Sequence, residues 1–278
     1  MTFFEWLRII VIGVIEGVTE WLPISSTGHM LLFDALFPTT APGIFTPDFD
    51  EVFLVVIQFG ACLAVLTKYF RKLNPFSKQK SGEEKSGTLS LWLKILLGCL
   101  PAAVLGVFLD DFISAHFSGY IPIAIMLIVY GVLFIIIERI KKPVRVNTLG
   151  ELGYKTAVAV GLAQVLAFFP GTSRSGVTIL TALLLGCSRK VATEYTFFLA
   201  LPVILGASAL KTVKYFMLGN GFSPMQILVL IIGMAVAYVV SSLVIKTLTE
   251  FVKKRDFQPF GWYRIILGII TLIVFSML

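Results

Sequence analysis

The sequence predicts an all-α polytopic membrane protein, built as an inverted-topology repeat in which each half is a re-entrant helix hairpin plus three transmembrane helices. Three observations carry this expectation. Of the 278 residues, 57% are hydrophobic and 14% are charged, with a mean hydropathy of +0.92. A soluble domain is about 25% charged. The apolar residues also fall in blocks close to the ~20 residues that cross a bilayer. Finally, the order of elements repeats, with one half at about 1–142 and the other at about 152–278, inside a single membrane domain.

The elements follow in order. Residues 3–22 form an apolar helix that carries Glu16 and Glu20. Leu22-Pro23 ends it, because a residue before proline disfavours the helical region. Ser25 or Ser26 caps a second short helix over about 26–37. Neither piece makes a comfortable span, so a re-entrant hairpin fits better; broken backbone at membrane depth is tolerated where protein or a cavity surrounds it. The loop 38–50 has no Lys or Arg, and a span follows at about 51–70. After the basic loop 71–90 come spans at about 91–109 and 121–138, separated by an acidic turn with Asp110 and Asp111, and then a basic segment at 139–155.

From Tyr154 the pattern restarts. A helix over about 154–169 ends at Pro170, and a polar turn leads to a short helix ending near 187. Spans follow at about 191–213, 225–247 and 260–278, with Lys253, Lys254 and Arg255 in the last loop. Gly13 and Gly28 are spaced as Gly161 and Gly176 are, Glu16 falls opposite Gln164, and Glu51 matches Glu194. Three spans per half make the second half enter from the opposite face, as in many transporters.

Charge orients the chain. With the basic loops and the flanking Lys68, Lys94, Lys246 and Arg264 inside, nineteen of the 23 basic residues are cytoplasmic. Arg8, Lys211 and Lys214 fall outside, and Arg174 lies within the membrane region. Both termini then face outward. The first hairpin dips from outside, the second rises from inside, and their tips can meet. This pattern also accounts for the net charge of +7 without nucleic acid, since no basic helix carries interleaved aromatics. Cys62, Cys99 and Cys187 lie far apart in apolar surroundings and read as packing residues. The N-terminal run has no basic lead, and its carboxylates argue against a cleaved signal peptide. Gly98, Gly131, Gly206, Gly233 and Gly268 allow close helix packing, within one chain or in a homo-oligomer.

Two polar islands interrupt the apolar sequence: E-G-V-T-E-W-L-P-I-S-S-T-G-H at Glu16–His29 and P-G-T-S-R-S-G-V-T at Pro170–Thr178. Ionisable groups in membrane segments mark function by default. Glu16 and Glu20 share a helix face and could hold a divalent cation or supply a base. Ser25, Ser26 and Thr27 follow the break, where one hydroxyl caps the helix and another could act as nucleophile. His29 stands beside them as an acid–base or nucleophile candidate, whereas His116 reads as a solvated outer-loop residue. Arg174 needs an anionic partner, either Glu16 or Glu20 in an empty site or a phosphate, which its planar fork matches. Gly171 and Gly176 allow close backbone approach, and Ser173, Ser175 and the following helix start offer donors.

These two islands resemble the signature motifs of the bacterial undecaprenyl-pyrophosphate phosphatase family, also called bacitracin-resistance proteins, and the resemblance extends over nearly the whole chain. It implies hydrolysis of undecaprenyl pyrophosphate to undecaprenyl phosphate and inorganic phosphate, recycling the lipid carrier for cell-wall synthesis. It also implies a divalent cation, Mg²⁺ or Ca²⁺, and a site on the outer side of the bacterial inner membrane. The mechanism expected for that reaction has Ser26 attack the terminal phosphorus while His29, oriented by Glu16, takes the proton. Glu16 and Glu20 hold the metal. Arg174, with Ser173, Ser175, Thr27, Thr178, Gly171 and Gly176, binds the pyrophosphate. Attack by His29 or by a metal-bound water is the alternative chemistry. A flippase or transporter of undecaprenyl phosphate is the alternative function.

Overall fold

A computed structural model describes the chain except residues 40, 42, 141 and 278, and it leaves out the side chains of 107, 110, 111 and 114 as well. In order, the helices are α1 (Phe3–Thr19), α2 (Ser26–Leu36), α3 (Pro47–Lys68), α4 (Phe70–Leu73), α5 (Gly82–Phe117), α6 (Tyr120–Ile140), α7 (Tyr154–Gln164), α8 (Arg174–Leu184), α9 (Arg189–Met217), α10 (Pro224–Lys254) and α11 (Gln258–Met277). A short 3₁₀ turn, Val165–Phe168, extends α7. Six of them, α3, α5, α6, α9, α10 and α11, are long and apolar enough to cross a membrane. The protein is a multi-pass membrane protein, as the composition predicts.

Local chemistry sets the helix starts. Thr46 caps α3 and is followed by Pro47, whose fixed φ suits the first helical position. Ser81 with Glu84, and Ser223 with Gln226, form reciprocal capping boxes at α5 and α10. The expected acidic turn at 110–111 does not form, because α5 runs unbroken to Phe117. Two aspartates do not break a helix, and the first glycine or proline after Gly106 is Gly119. His116 therefore sits in the last turn of α5 rather than in a loop, exposed, with Nδ1 on the Phe112 carbonyl at 2.8 Å.

Packing partners exchange between the halves. Helix α1 packs on α10 while α7 packs on α5, and α2 meets α11 while α8 meets α6. The pairs α3–α9 and α6–α11 each join equivalent spans. Lys211 of α9 reaches Glu51 of α3 at 2.9 Å, and Lys72 of α4 reaches Glu194 of α9 at 2.5 Å. Very close approaches fix these contacts: a Cβ on Gly161 would lie 2.1 Å from the Gly98 carbonyl oxygen, and one on Gly131 would lie 2.7 Å from that of Gly261. Gly206 faces open space. Inside, Trp21, Phe49, Phe53, Tyr195, Phe197 and Phe198 are fully buried. Outside, Leu89, Leu93, Leu96, Leu100, Val104 and Phe108 form an exposed apolar stripe along α5, suited to lipid.

Candidate active site

The site is built on two matching turns. Ser25 (φ 71°, ψ 104°) and Ser173 (φ 71°, ψ 115°) are the only non-glycine residues with positive φ among those described. Such backbone costs about 1–3 kcal/mol and clusters at functional sites. Each serine caps the helix it precedes. Ser25 Oγ accepts from the Gly28 N–H at 3.5 Å, and Ser173 Oγ accepts from the Gly176 N–H at 3.2 Å. The cap in the first hairpin is therefore Ser25, which leaves the Ser26 hydroxyl free of that duty. Ser26 and Arg174 both occupy the first helical position after their caps. The repeat thus places a hydroxyl on one hairpin tip and a guanidinium on the other.

Both tips line one cavity of about 210 Å³. Thr19, Glu20, Ser25, Ser26 and Thr27 come from the first hairpin, and Gln164, Gly171, Ser173, Arg174 and Ser175 from the second. Gln58 of α3, Ala102 of α5, and Val203, Ile204 and Ala207 of α9 close the walls. Gly171 has φ 91°, and a Cβ there would lie 2.4 Å from the Ile123 carbonyl oxygen, so the second turn requires glycine.

Arg174 joins the two hairpins. Its Nη2 donates to Glu20 Oε1 at 2.9 Å, its Nη1 donates to the Thr196 carbonyl at 3.1 Å, and its guanidinium carbon lies 5.9 Å from the Trp21 ring centre. Of the two anionic partners open to it, Arg174 takes Glu20. Glu16 is buried nearby, and its Oε1 has no hydrogen-bond partner. Gln164, at the equivalent position of the second hairpin, is also buried, with neither its amide oxygen nor its nitrogen partnered.

Other expected site residues are placed differently. His29 does not line the cavity and is not held by Glu16. Its Nδ1 lies 2.7 Å from the Ser25 carbonyl, and its Nε2 lies 2.7 Å from the Tyr263 hydroxyl, with the two rings stacked at 5.6 Å. A carbonyl only accepts, so Nδ1 carries a proton and neutral His29 accepts from Tyr263 at Nε2. Thr178 is fully buried away from the cavity. Its hydroxyl donates to the Arg174 carbonyl at 2.9 Å and accepts from Thr196 at 2.9 Å, tying α8 to α9. Ser175 donates to the Leu22 carbonyl at 3.3 Å, bridging the hairpins. The Gly176 N–H is occupied by the Ser173 cap.

Three residues escaped the sequence reading: Gln58, Tyr263 and Arg264. Gln58 sits in the apolar span α3, where its amide was itself the signal. Arg264, counted above among the cytoplasmic flanking charges, is instead fully buried against both hairpin turns. Its position seven residues into α11, following two aromatics, was the available signal.

A buried carboxylate–guanidinium pair, the Ser26 hydroxyl and two helix N-termini meet at one cavity inside a membrane protein, a combination whose chemistry suits an anion such as phosphate. The chain belongs to the Bacitracin resistance protein BacA family, which it matches over residues 9–270. Its relatives are similar along their whole length. An undecaprenyl-diphosphatase of Enterococcus faecalis (strain V583) is 53% identical over 274 residues, covering 98% of each chain. Proteins of the same name from Desulfitobacterium hafniense and Acetivibrio thermocellus are each 49% identical, covering at least 98% of both chains in each comparison.

Proposed function

We propose that the protein hydrolyses undecaprenyl pyrophosphate to undecaprenyl phosphate and inorganic phosphate, with the chemistry at the meeting point of the two hairpin tips. The observation that carries the mechanism is the single cavity shared by Ser26, Glu20 and Arg174. The pyrophosphate takes over the Arg174 guanidinium from Glu20, exchanging one anionic partner for another. Ser173 and Ser175 present the α8 N-terminus to the same anion, and Thr27 does so from α2. Positioning and charge stabilisation supply most of the rate in phosphoryl transfer.

Ser26 Oγ attacks the terminal phosphorus. A Ser–O–P bond forms, the bridging P–O bond breaks, and undecaprenyl phosphate leaves. Among acid–base groups Glu20 shares the cavity with Ser26, and loss of its pair with Arg174 frees it to take the hydroxyl proton. Water then cleaves the phosphoserine. His29 holds the first turn from outside the cavity through the Ser25 carbonyl, and it serves as base only after leaving Tyr263.

The donor set fits a divalent cation. Glu16 Oε1 is buried without a partner beside the Glu20 carboxylate, and hard cations take such oxygens together with phosphate oxygens. A bound Mg²⁺ or Ca²⁺ would neutralise phosphate charge there, with Glu16 and Glu20 as its protein ligands. The basic-residue asymmetry supports an orientation in the bacterial inner membrane with the cavity open to the outer side. The exchanged packing partners support two halves of inverted topology. Acid quench during turnover tests the attack: phosphate on Ser26 is expected, and near-normal turnover by Ser26→Ala would rule that nucleophile out.

A further inference from the structure

We infer that Arg264 is a positioning residue of this site, a single buried guanidinium that fixes the two hairpin turns relative to each other. The inference rests on the phosphatase reading above. Arg264 Nη1 donates to the Pro23 carbonyl at 3.2 Å, in the first turn. Its Nη2 donates to the carbonyls of Gly171 at 2.8 Å and Thr172 at 3.0 Å, in the second turn. A longer contact at 3.4 Å reaches the Met126 carbonyl of α6. The side chain is fully buried, and its guanidinium carbon lies 5.7 Å from the Tyr130 ring centre. Among the described residues no carboxylate pairs with it.

A buried charge is an expensive way to fill space; apolar side chains of similar volume often serve as well or better. What the guanidinium adds is a planar set of donors that reaches carbonyls on both hairpins at once. Because a trans peptide sets its C=O and N–H on opposite sides, pinning the Thr172 carbonyl onto Arg264 turns the Ser173 N–H the other way. That N–H has no acceptor among the described residues, and Ser173 lines the cavity. The first turn is held at Pro23, two residues before the strained Ser25. Arg264 therefore sets the distance between the Ser26 hydroxyl and the Arg174 guanidinium without lining the cavity itself. Its charge also lies behind the N-termini of α2 and α8, where it adds to a field that favours anions.

R264K and R264Q test the inference in purified, detergent-solubilised protein. Both keep N–H donors but lose the fork that reaches the two turns together. Phosphate release is measured against undecaprenyl pyrophosphate, with melting temperature and amide hydrogen exchange recorded on the same samples. The expected result is folded protein whose kcat falls at least tenfold while KM changes less than threefold. Exchange should quicken in both turns together, around 20–25 and 169–174, with R264K less affected than R264Q. A kcat within twofold of wild type, whether or not the melting temperature falls, would overturn the proposal. So would exchange that changes only in α11, or failure of both variants to fold, since each marks a purely structural anchor. Wild-type protein runs alongside: no phosphate release by wild type sinks the phosphatase reading, whereas normal release by the variants sinks this one.

Discussion

Replacing Arg174 with lysine probes the phosphate clamp with the least damage to the fold. Removing the charge altogether would leave Glu20 buried without its partner, a change of the kind that costs about 3–5 kcal/mol and would confuse chemistry with stability. Lysine keeps the charge and can still pair with Glu20. It loses the planar fork that serves Glu20 and the Thr196 carbonyl from separate nitrogens, and it cannot grip a phosphate with two parallel N–H groups. Loss of one such donor to developing charge costs about 2.7–4 kcal/mol, or roughly 10²–10³ in kcat. Because positive charge remains, R174K should fall near the lower end, with kcat/KM down roughly 10² and most of the loss in kcat. Phosphate release from undecaprenyl pyrophosphate is the assay, normalised to folded protein. A kcat/KM within threefold of wild type would refute the idea that Arg174 binds the reacting phosphate.

Other expectations follow from the same geometry. The Ser25 hydroxyl is spent on capping α2, so Ser25→Ala should lower stability by about 1 kcal/mol and leave turnover within several-fold of wild type, while Ser26→Ala abolishes it; a thermal melt and the phosphate assay separate the two. Gly171→Ala must hold φ 91° with its Cβ 2.4 Å from the Ile123 carbonyl oxygen, so it should destabilise by at least ~2 kcal/mol and remove activity, as denaturation and turnover measurements will show. Gln164→Ala takes an unpartnered amide out of the cavity and should raise KM without lowering the melting temperature. Thr178→Val breaks the tie between α8 and α9, so it should cost about 1 kcal/mol of stability and leave KM unchanged, because its hydroxyl lies outside the cavity.

Much of the architecture was legible because membrane helices announce themselves by length and apolarity, and the six spans fall where the apolar blocks predict. The hairpins were legible from Pro23 and Pro170, and from polar residues too costly to leave in lipid. The break expected at Asp110–Asp111 failed because charge is a weaker helix terminator than Gly119. Within the site, the pairing of Arg174 with a carboxylate was legible from the two acids, Glu16 and Glu20, that the first hairpin places in an apolar helix. The direction of a side chain was not. His29 lies in the first turn of α2 beside the hydroxyls, but its ring turns onto Tyr263, a residue 234 positions away. Arg264 was misread for the same reason. A basic residue near a helix end looks like a flanking charge until the fold shows which turns it reaches.

A phosphatase centre at the two hairpin tips and a headgroup site for transport differ in one respect, the cleavage of the bound pyrophosphate. The most direct measurement is release of inorganic phosphate from undecaprenyl pyrophosphate by purified protein in detergent, with Mg²⁺ or Ca²⁺ supplied and the lipid product followed in parallel. One phosphate and one undecaprenyl phosphate are expected per substrate consumed, with release lost in Ser26→Ala. Intact pyrophosphate after prolonged incubation with folded wild-type protein would contradict a phosphatase centre.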